Sequence, residues 1–300
     1  MMRKKCTIHG WGVVVFLGVL SLSSAGFARS SFLTLARAKY PFISGTRLDS
    51  CLLCHTTVTN PDAGNVNDYG SDFSVNGGNK AAFGRIETLK SDADSFDNLQ
   101  EIFARTFPGN AADMPSPPAN QVDVVPAGTS WKYLDNGSNA GTVWRDKVFD
   151  DSLWLSGLAQ LGYGNVGEVS VVSFGPSSSN KYITTYFRHS FSRPSTSVYS
   201  EVMLRVLQND GVVVYLNGAE ILRSNMPGGA VAFTTQASAE ADAWVEKPLS
   251  ADLLTKGLNV LAVETHQVSP AGPNIGFKLQ VQARETKQPP ARARDWTLYQ

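Results

Sequence analysis

Positions 209–218 carry the sequence Asn-Asp-Gly-Val-Val-Val-Tyr-Leu-Asn-Gly. The run from Val212 to Leu216 is rich in residue types that favour β-strands. Turn signals border it on both sides, Asn209-Asp210-Gly211 before it and Asn217-Gly218 after it. Asn-Gly and Asp-Gly supply the positive φ angles that tight turns between antiparallel strands require. The stretch therefore predicts a β-hairpin.

Similar strand patterns lie on either side of this stretch. They cover Val169–Phe174, Tyr182–Phe191, Val202–Gln208, Val260–His266 and Phe277–Ala283. Short strands separated by Gly-rich turns are typical of a sandwich or a jelly roll. We therefore expect residues 119–285 to form an all-β jelly-roll sandwich, followed by a flexible tail at 286–300.

Residues 29–118 have a different character, with many Asn and Asp residues and a helical spacing of apolar residues. Ser31–Lys39 and Asp97–Arg105 are predicted helices. A stretch rich in Pro and small polar residues, Pro108–Asn120, then separates the two parts of the chain as a linker would. The sequence predicts two domains, a small mainly α domain followed by the β-sandwich.

Composition excludes some classes of protein. The chain has 300 residues, of which 42% are hydrophobic and 17% charged, so it can bury a core and is not mainly disordered. Lys and Arg together number 26, as do Asp and Glu. The chain therefore lacks the excess of basic residues that is typical of a nucleic-acid-binding protein.

The first 28 residues resemble a secretory signal peptide. Arg3–Lys5 form a basic head, Val13–Leu22 is a short apolar run, and Gly26 and Ala28 suit a cleavage site. Cleavage would leave 23 basic and 26 acidic residues and no membrane span. We expect a periplasmic, extracellular or cell-surface protein; an uncleaved anchor is the alternative.

The most specific motif is Cys51-Leu52-Leu53-Cys54-His55, which fits C-x-x-C-H, the attachment site of c-type haem. On a helix these spacings place Cys51, Cys54 and His55 on one face, with two thiols for thioether bonds and an imidazole for the iron. A thioredoxin-like pair, a zinc site and a plain disulfide are the competing interpretations. The motif predicts one covalent haem c with His55 as the proximal ligand.

The candidates for the second axial ligand of such a haem are Met114, Met203, Met226, His189 and His266. Met114, followed by Pro115, stands in the same part of the chain and is the candidate distal ligand. His189 and His266 fall in predicted strands, where an ordinary hydrogen-bonding role is expected. An open distal site, or Met114 as a simple linker residue, remains the alternative.

A second candidate site is the acidic stretch Lys90–Glu101, which aligns without gaps to a calcium-binding loop. The positions for oxygen ligands 3, 5, 9 and 12 hold Asp92, Asp94, Asn98 and Glu101. Lys90 stands where the first Asp is expected and Ser95 where the turn Gly is expected, so the loop is degenerate. Pairing of Lys90 with the aspartates, or helix-start roles for Asn98 and Glu101, are the alternatives.

Residues 36–110 resemble small secreted bacterial monohaem cytochrome c-like domains. The matching segments are Tyr40-Pro41, Ser50–Thr56, Asn67–Gly70, Asn98–Ile102 and Thr106–Gly109. The resemblance implies haem-dependent electron transfer with a redox partner protein. In that group the acidic loop resembles an intact calcium motif of the thrombospondin type 3 or dockerin kind.

Residues 122–283 look like a galactose-binding-like jelly roll found in many secreted bacterial proteins. The matching segments are Ala127–Trp131, Tyr133–Gly137, Thr142–Trp144, Phe149–Trp154, Gly157, Leu161–Gly164, Thr185–Arg188, Asn209–Gly218, Arg223–Pro227 and Asn259–Gln267. The resemblance implies a glycan, a cell-wall or outer-surface component, or a neighbouring domain as partner.

The sequence thus predicts a secreted monohaem c-type cytochrome that transfers one electron, with a β-sandwich accessory domain for glycan or protein attachment. It is expected to be an electron carrier rather than a catalyst, since neither a G-x-S-x-G nor an H-E-x-x-H motif occurs. Two alternatives stay open. One is a haem protein that reacts with ligands or peroxide at an open distal site, and the other is a non-redox binding or adhesion protein at the cell surface.

Overall fold

The computed structural model describes residues 30–59, 61, 63–116 and 120–286. The chain divides into two compact units, Met1–Pro117 and Pro118–Gln300. The expected signal peptide at 1–28 lies outside the described residues, as does the expected flexible tail apart from its first residue, Thr286.

The first unit contains short helices joined by turns. The α helices are α1 (Ser30–Lys39), α2 (Asp68–Val75), α3 (Lys80–Ile86) and α4 (Asn98–Ala104), and 3-10 turns lie at Pro41–Ile43, Cys51–Leu53 and Ala63–Asn65. The predicted helices at 31–39 and 97–105 correspond to α1 and α4. A distinct cytochrome-like helical domain is not shown by these residues.

Aromatic side chains form the centre of this helical unit. Phe83 on α3 stacks on Phe73 of α2 with ring centroids 4.5 Å apart, and the edge of Tyr40 contacts it at 5.9 Å. These rings are buried, as is Tyr69. Aromatic packing of this kind gives a short α-helical unit most of its apolar burial.

Polar caps determine where the helices begin. The side chain of Asn67 accepts a hydrogen bond from the backbone N–H of Gly70, and Asn79 accepts one from Ala82. Asp97 and Gln100 form a reciprocal capping box at the start of α4. Each cap satisfies an N–H group that has no partner within its helix.

The second unit is a two-sheet sandwich, which confirms the β-sandwich part of the predicted fold. Its strands are β1 (Gln121–Val125), β2 (Ser130–Leu134), β3 (Leu155–Leu158), β4 (Leu161–Tyr163), β5 (Ser170–Val171), β6 (Thr184–Arg193), β7 (Val198–Gln208), β8 (Gly211–Leu216), β9 (Ala219–Ser224), β10 (Ala243–Leu249), β11 (Gly257–His266) and β12 (Ile275–Thr286).

The strands divide equally between the two sheets. The first sheet has the order β10-β7-β12-β4-β5, with β1 also pairing with β12, and the second has the order β3-β2-β6-β11-β8-β9. All pairings are antiparallel except that of β4 with β5. The expected strand at 169–174 is reduced to two residues, because the N–H of Ser173 donates to Asp135 instead of continuing the sheet.

The two turn signals around Val212–Leu216 have different outcomes. Asn217 and Gly218 both have positive φ, 55° and 90°, and connect β8 to β9 as a tight hairpin. Asn209 and Asp210 instead lead from β7 in the first sheet to β8 in the second. The turn on this side was predicted correctly, but the strands that it joins do not pair.

Alternate residues of the long strands fill the space between the sheets. Phe277 on β12 lies face to face with Phe187 on β6, with ring centroids 4.2 Å apart, and meets the edge of Trp131 at 4.8 Å. All three rings are fully buried. The contact joins the two sheets, since β12 belongs to the first and the other two residues to the second.

We expect Phe277→Ala to destabilise the sandwich by about 3–5 kcal/mol, because it leaves a large cavity between the sheets. Val148→Ala is the control, since its side chain is 93% exposed and should change stability by less than about 0.5 kcal/mol. Denaturant unfolding followed by tryptophan fluorescence measures both. Equal stability of the two variants would contradict this assignment of the core.

Candidate functional site

The Cys51–His55 motif begins with a 3-10 turn at Cys51–Leu53, and His55 follows it in an isolated β-bridge with Val66. The backbone N–H of His55 donates to Cys51 at 3.0 Å, and its Nδ1 lies 3.0 Å from Oδ1 of Asn65. Helix α2 packs directly on the motif, since a Cβ at Gly70 would lie 2.2 Å from the Cys54 carbonyl oxygen. The motif is thus a tightly packed turn with a largely buried imidazole.

The second cysteine of the motif, Cys54, carries a free thiol. Burial raises the pKa of the Cys54 thiol to about 12. At neutral pH this thiol stays protonated, and it is therefore neither a nucleophile nor a metal ligand in this state.

The candidate distal haem ligands lie in different units of the chain and differ in their burial and hydrogen bonding. Met114 belongs to the helical unit, and its side chain is half-exposed. His189 and His266 belong to the sandwich unit. Nδ1 of His189 bonds to the carbonyl of Ser130, and burial lowers the pKa of this histidine. Nδ1 of His266 lies 2.7 Å from the Thr235 carbonyl oxygen.

Three of the four predicted calcium ligands come together in the helical unit. Ligand atoms of Asp92, Asp94 and Glu101 all lie within 4.8 Å of one another. Asn98 does not join them, because its amide nitrogen donates to Ile86 and Ser91 and its oxygen accepts from Ser91. Asn98 therefore stabilises the conformation of the loop between α3 and α4.

Glu101 has unusual electrostatic surroundings. Its side chain is completely buried, and neither carboxylate oxygen has a hydrogen-bond partner. Burial, together with the negative charges of Asp92 and Asp94, raises the pKa of Glu101 to about 9. Burial also raises the pKa of Asp92.

The sandwich unit carries a groove on the outer face of its first sheet. The groove has a volume of about 400 Å³ and crosses β7, β10 and β12. Its lining combines apolar and polar side chains, among them Met203, Pro248, Arg205, Gln282 and Arg284.

Ion pairs and hydrogen bonds hold the groove's polar side chains in place. Arg205 Nε lies 2.7 Å from Glu246 Oε1, and a second guanidinium nitrogen donates to Gln282. Gln282 in turn donates to Asp123 at 2.8 Å. Across the groove Arg284 pairs with Glu201 at 3.3 Å. Each arginine therefore has a carboxylate beside it.

Sequence analysis did not predict this groove. Its signal is present in the alternation of β12, where Lys278, Gln280, Gln282 and Arg284 occupy every second position between buried apolar residues. Such alternation indicates a polar outer face. The alternation does not show which of these polar side chains line a groove, because the shape of the surface also depends on side chains of the neighbouring strands.

No family model and no curated protein matches the chain. Among the solved structures that it is similar to are several β-glucuronidases. That of Bacteroides uniformis has 16% identity and a TM-score of 0.36, with 54% of this chain and 18% of that chain covered. Those of an uncultured Clostridium and Ruminococcus gnavus have 12% identity, TM-scores of 0.38 and 0.39, and coverage of 57% and 30%. The chain thus spans less than a third of their lengths.

The prediction of a c-type cytochrome is wrong. The described residues are mostly β, with four α helices of 7 to 10 residues. Of the cysteines expected to form thioethers, Cys54 is a free thiol. Covalent haem c, electron transfer and a redox partner are therefore withdrawn.

Within the part of the chain that the structure describes, no helix has both the length and the apolar character needed to cross a bilayer.

We expect the stability of the cation-free helical unit to fall as pH rises from about 5 to about 9. The folded state retains a proton on Glu101, with its pKa of about 9, whereas the unfolded chain loses that proton near the ordinary value of ~4.3. The unfolded state therefore binds fewer protons in this window, and rising pH favours unfolding. Thermal unfolding in the presence of a chelator measures the slope.

Glu101→Gln is the matched variant for this measurement, because the amide has the same shape and does not titrate. It should flatten the pH dependence between those limits. An unchanged slope in Glu101→Gln would show that another group causes it.

Proposed function

We propose that the chain is a non-redox binding protein whose sandwich unit binds a carbohydrate in the groove across β7, β10 and β12. The observation that carries the proposal is the fixed arrangement of Arg205 between Glu246 and Gln282, beside the apolar side chains of Met203 and Pro248. The leader-like sequence at 1–28 supports a site of action in the periplasm or at the cell surface.

The chemistry of the groove suits a sugar. Sugar hydroxyls both donate and accept hydrogen bonds, and the guanidinium, amide and carboxylate groups of the groove together offer donors and acceptors. Apolar side chains nearby can cover the C–H face of a sugar ring. Because ion pairs already order the polar groups, binding costs little side-chain entropy.

Charge balance in the groove favours a neutral sugar over an acidic one. Arg205 is paired with Glu246 and Arg284 with Glu201, so the two positive charges are matched by two negative charges. An acidic sugar would have to compete with a resident carboxylate for either guanidinium. A neutral sugar can instead share these groups through its hydroxyls.

Glycan-array screening of the full chain, followed by calorimetry on the best ligand, tests the proposal. We expect Arg205→Ala to weaken binding at least tenfold, a loss of about 1.4 kcal/mol or more, since it removes the central donor of the groove. Arg223→Ala is the matched control, because Arg223 pairs with Glu220 on the other sheet. It should leave affinity within about twofold.

Two results would overturn the proposal. One is the absence of binding to every neutral glycan on the array. The other is a glycan affinity that Arg205→Ala and Arg223→Ala change to the same extent.

A further inference from the structure

The helical unit contains a group of buried oxygen atoms that no protein group satisfies. Oδ2 of Asp92, Oδ2 of Asp94 and both carboxylate oxygens of Glu101 have no hydrogen-bond partner. Glu101 is completely buried and Asp92 is 8% exposed. This cluster is separate from the sandwich groove and has no part in the function proposed above.

Unpaired carboxylates in such a position are costly for a protein. Burying a charge is tolerated when an opposite charge or a metal ion compensates it. Among the described residues no basic side chain forms an ion pair with Asp92, Asp94 or Glu101. Lys90, which the sequence places at the first loop position, is exposed. The compensating charge is therefore not supplied by a neighbouring side chain of the described chain.

The loop directs one oxygen of each aspartate to a common point. Oδ1 of Asp92 accepts from the backbone N–H of Asp94 at 3.2 Å, and Oδ1 of Asp94 accepts from Phe96 at 2.7 Å. These bonds fix both carboxylates and leave their Oδ2 atoms unpaired. Glu101 lies in α4, which follows the loop in the chain, and its two unpaired carboxylate oxygens complete the group.

We propose that Asp92, Asp94 and Glu101 bind one divalent cation of the calcium type. Calcium takes six to eight oxygen ligands at 2.3–2.6 Å, so two opposite ligands lie ~4.6–5.2 Å apart. The ligand atoms here are all within 4.8 Å of one another, so they fit around one such ion. The two aspartates and a bidentate Glu101 supply four oxygens, and water completes the shell.

The ligand set favours calcium over its common competitors. Oxygen-only coordination suits hard cations, whereas zinc and copper prefer nitrogen or sulfur donors. Bidentate carboxylate binding suits the flexible shell of calcium better than the strict octahedron of magnesium. Asn98, the remaining residue of the sequence pattern, is not a ligand because Ser91 and Ile86 occupy its amide.

The test is calcium titration of the full chain after treatment with a chelator, monitored by calorimetry and by thermal unfolding. We expect one calcium ion per chain and an increase in the melting temperature of the helical unit of at least about 5 °C at saturation. Glu101→Gln should abolish both effects, since it removes one charge and one ligand oxygen at the centre of the site.

Asp97→Asn is the matched control, because it removes one negative charge from the same loop and keeps the helix cap, for which Asn is as suitable as Asp. This variant should retain calcium binding within about threefold. Terbium luminescence excited through nearby aromatic residues gives a second readout in Asp92→Asn, should Glu101→Gln fail to fold.

No heat of calcium binding and no thermal shift in the original chain would overturn the proposal. So would equal loss of binding in Asp97→Asn and Glu101→Gln, which would show diffuse charge attraction instead of a site. Tighter binding of magnesium than of calcium would overturn the assignment of the ion.

Discussion

The alternation of side chains along the paired strands β7 and β12 is the constraint on which the sandwich depends. In this antiparallel pair Leu204 lies opposite Val281, and both point to the core, while Arg205 lies opposite Gln280 and both point outward. A shift of register by one residue would bury the arginine and expose the leucine. The same register therefore builds the core between the sheets and the polar groove on the outer face.

Buried charged side chains have different surroundings in the two units. In the sandwich, Arg205 and Glu246 form a direct pair, and Arg188 pairs with Asp151. In the helical unit, Glu101 has only acidic neighbours among the groups that shift its pKa. The ion pairs of the sandwich hold their side chains in fixed positions. The buried carboxylates of the helical unit, which have no such partner, are stabilised by binding a proton or a cation.

Side-chain alternation and turn chemistry predicted much of the sandwich from sequence. Val212–Leu216 is a buried strand, and Asn217-Gly218 closes a hairpin because both residues take positive φ. Asn209-Asp210 shows the limit of this reasoning. A turn signal predicts a reversal of the chain, but whether the reversing strands pair or separate into two sheets depends on contacts with distant strands such as β11 and β12.

The candidate sites show a similar limit. The spacing of the acidic residues predicted that Asp92, Asp94 and Glu101 lie close together, and their ligand atoms do. A short loop allows few other arrangements of these side chains. The same prediction failed for Asn98, whose amide bonds to Ile86, twelve residues earlier in the chain. The haem predicted from the Cys51–His55 motif shows the same limit, since local spacing does not reveal that the thiol of Cys54 is shielded from solvent. The groove requires residues from β7, β10 and β12, and no local pattern combines them.

The central claim is that the outer face of the first sheet is a carbohydrate-binding surface. Amide chemical-shift mapping of the isotope-labelled full chain, titrated with the best neutral glycan, tests it most directly. The account predicts saturable shifts centred on Met203, Arg205 and Gln282, which lie together in the groove. Shifts confined to the second sheet or to the helical unit would contradict it.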